Sequence, residues 1–331
     1  MKKILLTAVA ALAIVGCSQN EEIEKAGEKA EINFGTIVSK TTRAAITDNT
    51  VLQGMGFTVY AYNTGTKTVG EGGSGVLDKV FMPITTVKYE GNVWKIQGDA
   101  TYYWPVDDNI QFFAHATDVL ATGYAAESTA SYPKINYTVA DLAANQNDFV
   151  VAQALNQTQA NPKVTFAFIH VLTQVNFSAK TANTDLTYNV TSVKLTGISK
   201  TGTYNFADAS WEAKTGEGNI KEYVYLDDSN GIEVTKAGSP TDLQKNGALM
   251  LIPQSLTSAN IVISYNVLKG TNIIKKVTDE SISLATTGNW EAGKKIRYTL
   301  DLTATGTTVS FDATVGPWGT ETDPLNPAPA E

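Results

Sequence analysis

Cysteine, histidine and paired carboxylates carry most nucleophilic, acid–base and metal chemistry, and this chain of 331 residues is sparing with the first two while its carboxylates are plentiful. It has one cysteine, Cys17, and two histidines, His115 and His170. Each histidine closes an apolar run, Phe112-Phe113-Ala114 before the first and Phe166-Ala167-Phe168-Ile169 before the second. Either could act as a general base or a metal ligand, but a hydrogen-bonded histidine at a strand end needs neither role. Their spacing suits no zinc motif. A Ser-His-Asp triad is a spatial arrangement that spacing does not decide, and the chain has no Gly-x-Ser-x-Gly elbow. A glycosidase needs two carboxylates across a cleft. The adjacent pairs Asp107-Asp108 and Asp227-Asp228 read instead as solvated turn residues, with a weak calcium loop as the alternative. Gly70 to Gly75 lacks the Lys-Ser/Thr and the following helix of a phosphate cradle, so it reads as a flexible loop. These residues predict no enzyme, no cofactor and no metal site. The aromatics are richer: Trp94, Tyr102, Tyr103, Trp104, Tyr124 and Tyr132 crowd one stretch. Such rings pack cores, but they also stack sugars or partner chains, and Trp94 and Trp104 are the candidates for that binding role.

The front of the chain explains the cysteine. Lys2 and Lys3 precede an apolar run from Ile4 to Val15, too short for a bilayer span of roughly 20 residues but suited to a secretory signal. Ile14-Val15-Gly16-Cys17 is similar to a bacterial lipobox, in which the cysteine is lipidated and becomes the mature N-terminus. The alternative is an ordinary signal peptide with a chance cysteine. Residues 18–30 are charged and poor in large apolar side chains, as a flexible tether would be. Without Lys2 and Lys3 the chain keeps 23 basic against 33 acidic residues, about −10. That charge repels nucleic acid and leaves membrane attachment to lipid. With no second cysteine there is no intrachain disulfide, so core burial alone must hold the fold. About 300 residues suffice for two domains.

The elements that must position these residues read as strands. Phe57, Val59 and Ala61 alternate with Thr58, Tyr60 and Tyr62; Ile296, Tyr298, Leu300 and Leu302 alternate with Arg297, Thr299 and Asp301; Val309, Phe311, Ala313 and Val315 do the same. One-in, one-out alternation fits a sheet with one buried face. Turn clusters such as Glu90-Gly91-Asn92 and Ser229-Asn230-Gly231 separate the runs, as in a sandwich or barrel. Helical periodicity is weak, with Val139 to Ala144 the best stretch. From Lys163 to Lys180 the apolar residues slip from even positions (Val164, Phe166, Phe168) to odd ones (Val171, Val175, Phe177). A slip of one residue exchanges the faces, and a bulge, a sharp bend or a passage between domains would each produce it. The polar, strand-breaking stretch Asn156 to Pro162 is the expected boundary. The predicted organisation is a signal at 1–17, a tether at 18–30, β-sandwiches at 31–160 and 161–318, and a Pro-rich tail at 319–331.

Six stretches carry a family resemblance. They are Leu52 to Tyr62; Tyr102-Tyr103-Trp104-Pro105 with Ile110 to Ala114; Asp148 to Ala152; Phe168 to Leu172; Leu251-Ile252-Pro253-Gln254; and Val315-Gly316-Pro317-Trp318. In this order they resemble the fimbrillins, the major and minor type V pilus subunits of Bacteroidales. The resemblance implies an all-β fold of two tandem transthyretin-like Greek-key β-sandwich domains. It also gives Ser18-Gln19-Asn20-Glu21-Glu22 a reading as the acidic signal that sends Bacteroides lipoproteins to the outer face of the outer membrane, against the plainer reading of a solvated linker. Family subunits travel as lipoproteins and are cut after an arginine; the loss of an N-terminal strand opens a groove for the C-terminal strand of the next subunit. Carried over, the cut falls between Arg43 and Ala44, and the expelled strand holds Ile32, Phe34 and Val38. The donor strand holds Val309, Phe311, Ala313 and Val315. Physically this is β-strand addition. The implied partners are other fimbrillin-like subunits, the outer membrane through the lipid, and a host or glycan ligand; the implied location is the outer-membrane surface, then the fimbrium after processing. The tail after Trp318 departs from a donor strand, because its three prolines cannot donate ladder hydrogen bonds. That leaves a tip, accessory or stand-alone subunit open beside a stalk subunit. The rival reading is a surface glycan-binding lipoprotein for nutrient capture.

Overall fold

The computed structural model describes residues 30–38, 49–70, 77, 79–116, 121–124, 132–237, 239–303 and 309–317, with backbone alone at 49, 121–124 and 309–317. Cys17, Arg43, Ala44, the signal, almost all of the tether and the tail therefore lie outside the described residues. In chain order the strands are β1 Asn33–Val38, β2 Phe57–Asn63, β3 Val80–Glu90, β4 Val93–Ile96, β5 Ile110–Ala116, β6 Ala121–Tyr124, β7 Lys134–Thr138, β8 Val150–Gln157, β9 Lys163–His170 and β10 Thr173–Lys180. They continue as β11 Thr187–Ser199, β12 Thr201–Asn205, β13 Ser210–Ala213, β14 Ile220–Val234, β15 Thr241–Asp242, β16 Leu249–Leu251, β17 Asn260–Lys269, β18 Asn272–Ser283, β19 Lys294–Leu302 and β20 Val309–Pro317. The chain is all-β, as its alternation predicts.

One helix breaks the pattern. Asn49–Met55 forms α1, taking in the start of the stretch Leu52 to Tyr62 that carries the family resemblance. Leu52 is fully buried, and Gly56, at φ +82°, closes the helix by donating its N–H to the Leu52 carbonyl at 2.8 Å. A glycine in the left-handed region just past a last turn is a standard helix stop. The helix expected near Val139 to Ala144 is a single 3-10 turn, Ala143–Asn145.

The strands form four sheets. The largest runs β1-β9-β8-β5-β2-β3-β4, and its two ends, β1 and β4, come into contact. It is thus curled almost into a barrel around Phe34, Phe57, Phe112, Phe166 and Phe168. Phe34 meets Phe57, Phe112 and Phe166 at centroid distances of 6.0, 6.1 and 5.7 Å. Each such ring contributes about 1.5–3 kcal/mol by leaving water. The outer face of this sheet is covered too: Tyr60 and Tyr62, the expected outward partners of Val59 and Ala61, are buried in the second core. A tyrosine reads as polar in an alternating pattern, yet its ring is a large apolar body.

What covers those tyrosines is the sheet β13-β12-β7-β6, which joins two parts of the chain distant in sequence. The β12–β13 hairpin pairs onto β7, with Tyr204 opposite Ile135. Beyond it, β10, β15, β16, β19 and β20 form one sheet and β14-β11-β17-β18 another. Val175, Phe177, Ile296, Tyr298 and Leu300 of the first pack with Tyr188, Val190, Leu195, Ile261 and Ile263 of the second. The phase slip is the change of sheet itself: β9 ends at His170, Val171 and Leu172 are buried, and β10 begins in the next sheet at Thr173. Asn156 to Pro162, the expected boundary, connects β8 to β9 inside the curled sheet.

Candidate functional site

The residues of the N-terminal strand reach their places through a parallel ladder. β1 pairs with β9 from Asn33↔Lys163 to Val38↔Phe168. Ile32, Phe34 and Val38 are buried, while Ile37 is 59% exposed. Asn33 donates its N–H to the Pro162 carbonyl at 3.4 Å. That sets the parity of the ladder: Asn33, Gly35 and Ile37 address β9, and Phe34, Thr36 and Val38 turn their backbone groups toward β4. On β4, the Gln97 N–H donates to Thr86, so Val93 and Lys95 address β3 while Trp94 and Ile96 face the seam. No ladder joins β1 to β4 among the described residues. A cleft of about 390 Å³ lies along this seam, lined by Phe34, Gly35, Thr36, Asn92, Trp94 and Lys163. The Lys163 stem crosses Gly35, where a Cβ would stand 2.8 Å from Lys163 Cε. Upstream, the chain is held on its other side: Ile32 donates to Tyr102 and Trp104 donates to Ala30, around the bridge between Glu31 and Tyr103.

The other end of the chain is arranged in the same way. β20 is the last strand of its sheet and, among the described residues, bonds to β19 alone, from Leu302↔Val309 to Lys294↔Pro317. The register sets Phe311 opposite Leu300, Ala313 opposite Tyr298 and Val315 opposite Ile296. Both terminal strands are therefore sheet edges with one ladder each.

Of the two readings open for Trp94 and Trp104, core packing and a stacking surface, the burial of both side chains fits the first. Trp104 is 3% exposed, and its indole N–H donates to the Pro162 carbonyl at 3.0 Å, pinning the start of β9. Trp94 packs on Phe57 and Tyr89 at 4.9 and 5.2 Å. Trp94 also borders the seam cleft, and a third tryptophan, Trp211, reaches another cleft with no sequence signal beyond its type.

The two histidines sit in different settings, one paired with a carboxylate and one among rings. The Asp148 carboxyl and His170 Nδ1 share a hydrogen bond of 2.5 Å, the carboxyl also accepts from the Phe149 N–H at 2.8 Å, and Asp148 is wholly enclosed. Burial pushes the Asp148 carboxyl up, against the opposing pull of His170. This buried pair sits where the chain leaves the curled sheet. Removing one member of a buried pair strands the other, so Asp148→Ala is expected to lower unfolding free energy by about 3–5 kcal/mol, read from urea melts. A loss below about 1 kcal/mol would show that the pair does not hold the crossing.

His115 lies between Tyr60 and Phe149, with Nδ1 unbonded among the described residues. Burial lowers its pKa from 6.5 to about 4. The folded state thus favours the neutral ring: its contribution is complete above about pH 6.5 and is lost as pH falls toward 4. At 1.36 kcal/mol per unit this comes to about 3 kcal/mol. His115→Phe should flatten the stability profile between pH 6.5 and 4; an unchanged slope would assign the acid loss to other groups. Asp107-Asp108 lies in a bend, as expected, whereas Asp227-Asp228, also expected in a turn, lies within β14. Asp108 accepts from Asn63 Nδ2, and Asp228 accepts from the Asn230 N–H and pairs with Lys245. No group of three metal-ligating side chains occurs among the described residues.

Comparison with known proteins matches this geometry to a family. The model of the fimbrillin-like family matches residues 42–318. The fimbrium subunit Fim1C of Phocaeicola vulgatus is 29% identical over 239 residues, covering 64% of this chain. The chain spans 62% of the length of that curated relative. In fold, a fimbrial protein from Bacteroides vulgatus superposes with a TM-score of 0.68 at 22% identity, over 87% of this chain and 99% of its own. A Bacteroides uniformis protein assigned to cell adhesion gives a TM-score of 0.51 at 20% identity, over 88% and 99%.

Proposed function

This chain belongs to the fimbrillin-like family, and from that membership we propose that it is a structural or adhesive pilus subunit, of tip or accessory kind, that assembles at the cell surface by strand exchange. The observation that carries the reading is that β1 and β20 are both edge strands held by a single ladder. An edge strand leaves by breaking one ladder, for β1 together with the short bridge of Ala30 and Ile32 to Trp104 and Tyr102, and the strand it exposes is a template for another. The two strands also match as sequences. Ile32-x-Phe34-x-Thr36-x-Val38 and Val309-x-Phe311-x-Ala313-x-Val315 place a β-branched residue, a phenylalanine, a small residue and a valine at the same four alternate positions. A donor seated in the place of β1 would put Phe311 where Phe34 now packs.

The seam supplies a direction to the exchange. β1 has no ladder to β4, whereas a longer incoming strand can bond to β9 on one side and to the Trp94 and Ile96 backbone on the other. Each added backbone bond contributes about 0.5–1.5 kcal/mol net. Cleavage between Arg43 and Ala44 would free β1, and the lipid on Cys17 would leave with it, so the anchor holds the subunit only until it is cut. In this reading the two cores correspond to two tandem transthyretin-like sandwiches, stitched together by the β12–β13 hairpin.

The test is an Arg-specific protease followed by electrophoresis without boiling. A single cut at Arg43 and a ladder of heat-sensitive oligomers are expected. A clean cut that leaves only monomer would remove strand exchange from the account.

A further inference from the structure

A second cleft, of about 460 Å³, opens between the edge of β13 and the segment Pro253 to Ser258; pockets of this size commonly hold small ligands. Trp211 forms one wall. Its indole N–H donates to the Val171 carbonyl at 2.6 Å, and its ring packs edge-on against Tyr204, Tyr137 and Phe149 at 5.5, 6.0 and 6.2 Å. The ring is only half-buried, and its remaining surface lines the cleft in a fixed orientation.

The polar groups around that ring are hydroxyl- and carboxylate-rich. Glu212, Thr215, Thr257 and Ser258 are exposed at the cleft. The Lys214 N–H donates to Thr201, which sets the parity of the β12–β13 ladder: Ser210 and Glu212 address β12, while the backbone groups of Trp211 and Ala213 turn outward. The floor is rigid. Gly197, at φ +74°, approaches the Ser258 carbonyl so closely that a Cβ would stand 2.1 Å from it. Gln254 is fixed on both sides, accepting from the Ser199 N–H and donating to the Ile252 carbonyl.

No lysine or arginine lines the cleft, and its one formal charge is the Glu212 carboxylate. Phosphates, sulfates and acidic sugars are thereby repelled. An indole surface ringed by hydroxyls, a carboxylate and open backbone groups matches a ligand with an apolar face and a rim of hydroxyls. We propose that this cleft binds a neutral saccharide, with a sugar ring against Trp211 and its hydroxyls on Glu212 and Thr257. None of the residues lining the cleft belongs to β1, β4 or β20, so the proposal does not rest on strand exchange and is tested in the uncut monomer.

Saturation-transfer NMR on the full chain tests this, with glucose, galactose, N-acetylglucosamine and lactose as neutral probes and sialic acid as the acidic control. Saturable transfer to at least one neutral sugar is expected, with none to sialic acid. Trp211→Ala should abolish it. Because that ring also supports the fold, the exposed substitutions Glu212→Gln and Thr257→Val serve beside it, each expected to weaken binding about tenfold, the effect of one lost hydrogen bond. No transfer to any neutral sugar, equal transfer to sialic acid, or unchanged affinity in both exposed variants would overturn the proposal.

Discussion

A disulfide joining Ile37→Cys to Ala167→Cys, in a chain carrying Cys17→Ser, is expected to abolish oligomer formation after cleavage at Arg43, and dithiothreitol is expected to restore it. Ile37 and Ala167 are register partners on β1 and β9, and both are exposed, so the substitutions cost little of the core. Neighbouring strands run about 4.8 Å apart, within the Cα range of a disulfide. The bond keeps β1 seated after the loop behind it is cut, so the β9 edge stays covered and the core cluster around Phe34 stays closed. The effect is close to all-or-none, because a β1 that cannot leave cannot be replaced. Oligomers of equal yield with and without reductant would place the subunit contact elsewhere.

The reason β1 can play this part is visible in its sequence only in outline. Ile32, Phe34 and Val38 announce a strand with one apolar face, and that face is buried. Nothing local says that its neighbour is β9, more than a hundred residues on, or that the pairing is parallel. The same limit explains the β12–β13 hairpin, whose partner β7 lies some sixty residues upstream. The slip at His170 and Val171 was a better guide to the change of sheet than the polar stretch Asn156 to Pro162. A slip reports which face each side chain must take, whereas polar residues mark any exposed connection.

Aromatic residues misled in two ways. Trp94 and Trp104 lie in a run crowded with rings and suggested a binding surface, yet both serve the core of the curled sheet. Trp211 stands alone in a four-residue strand and suggests nothing, yet it lines a cleft of about 460 Å³. Exposure of one ring face is decided by what packs on the other, and that is a tertiary fact. The histidines were legible as strand-end residues. Only the fold brings Asp148 to His170, because their pairing rests on the β8–β9 ladder, where Val150 stands opposite His170.

The matching alternation of β1 and β20 leads to the strongest test of strand exchange. If Phe311 of one copy takes the place of Phe34 in another, Thr314 takes the place of Ile37 and comes opposite Ala167. One chain should carry Ala167→Cys and a second Thr314→Cys, both with Cys17→Ser, so that neither can form the bond within itself. Mixed, cut at Arg43 and oxidised, they are expected to give a disulfide-linked heterodimer on a non-reducing gel, absent without the cut and lost on reduction. A cut mixture in which both chains stay monomeric, with no cross-link at this or neighbouring positions of β20, would contradict strand exchange through β1.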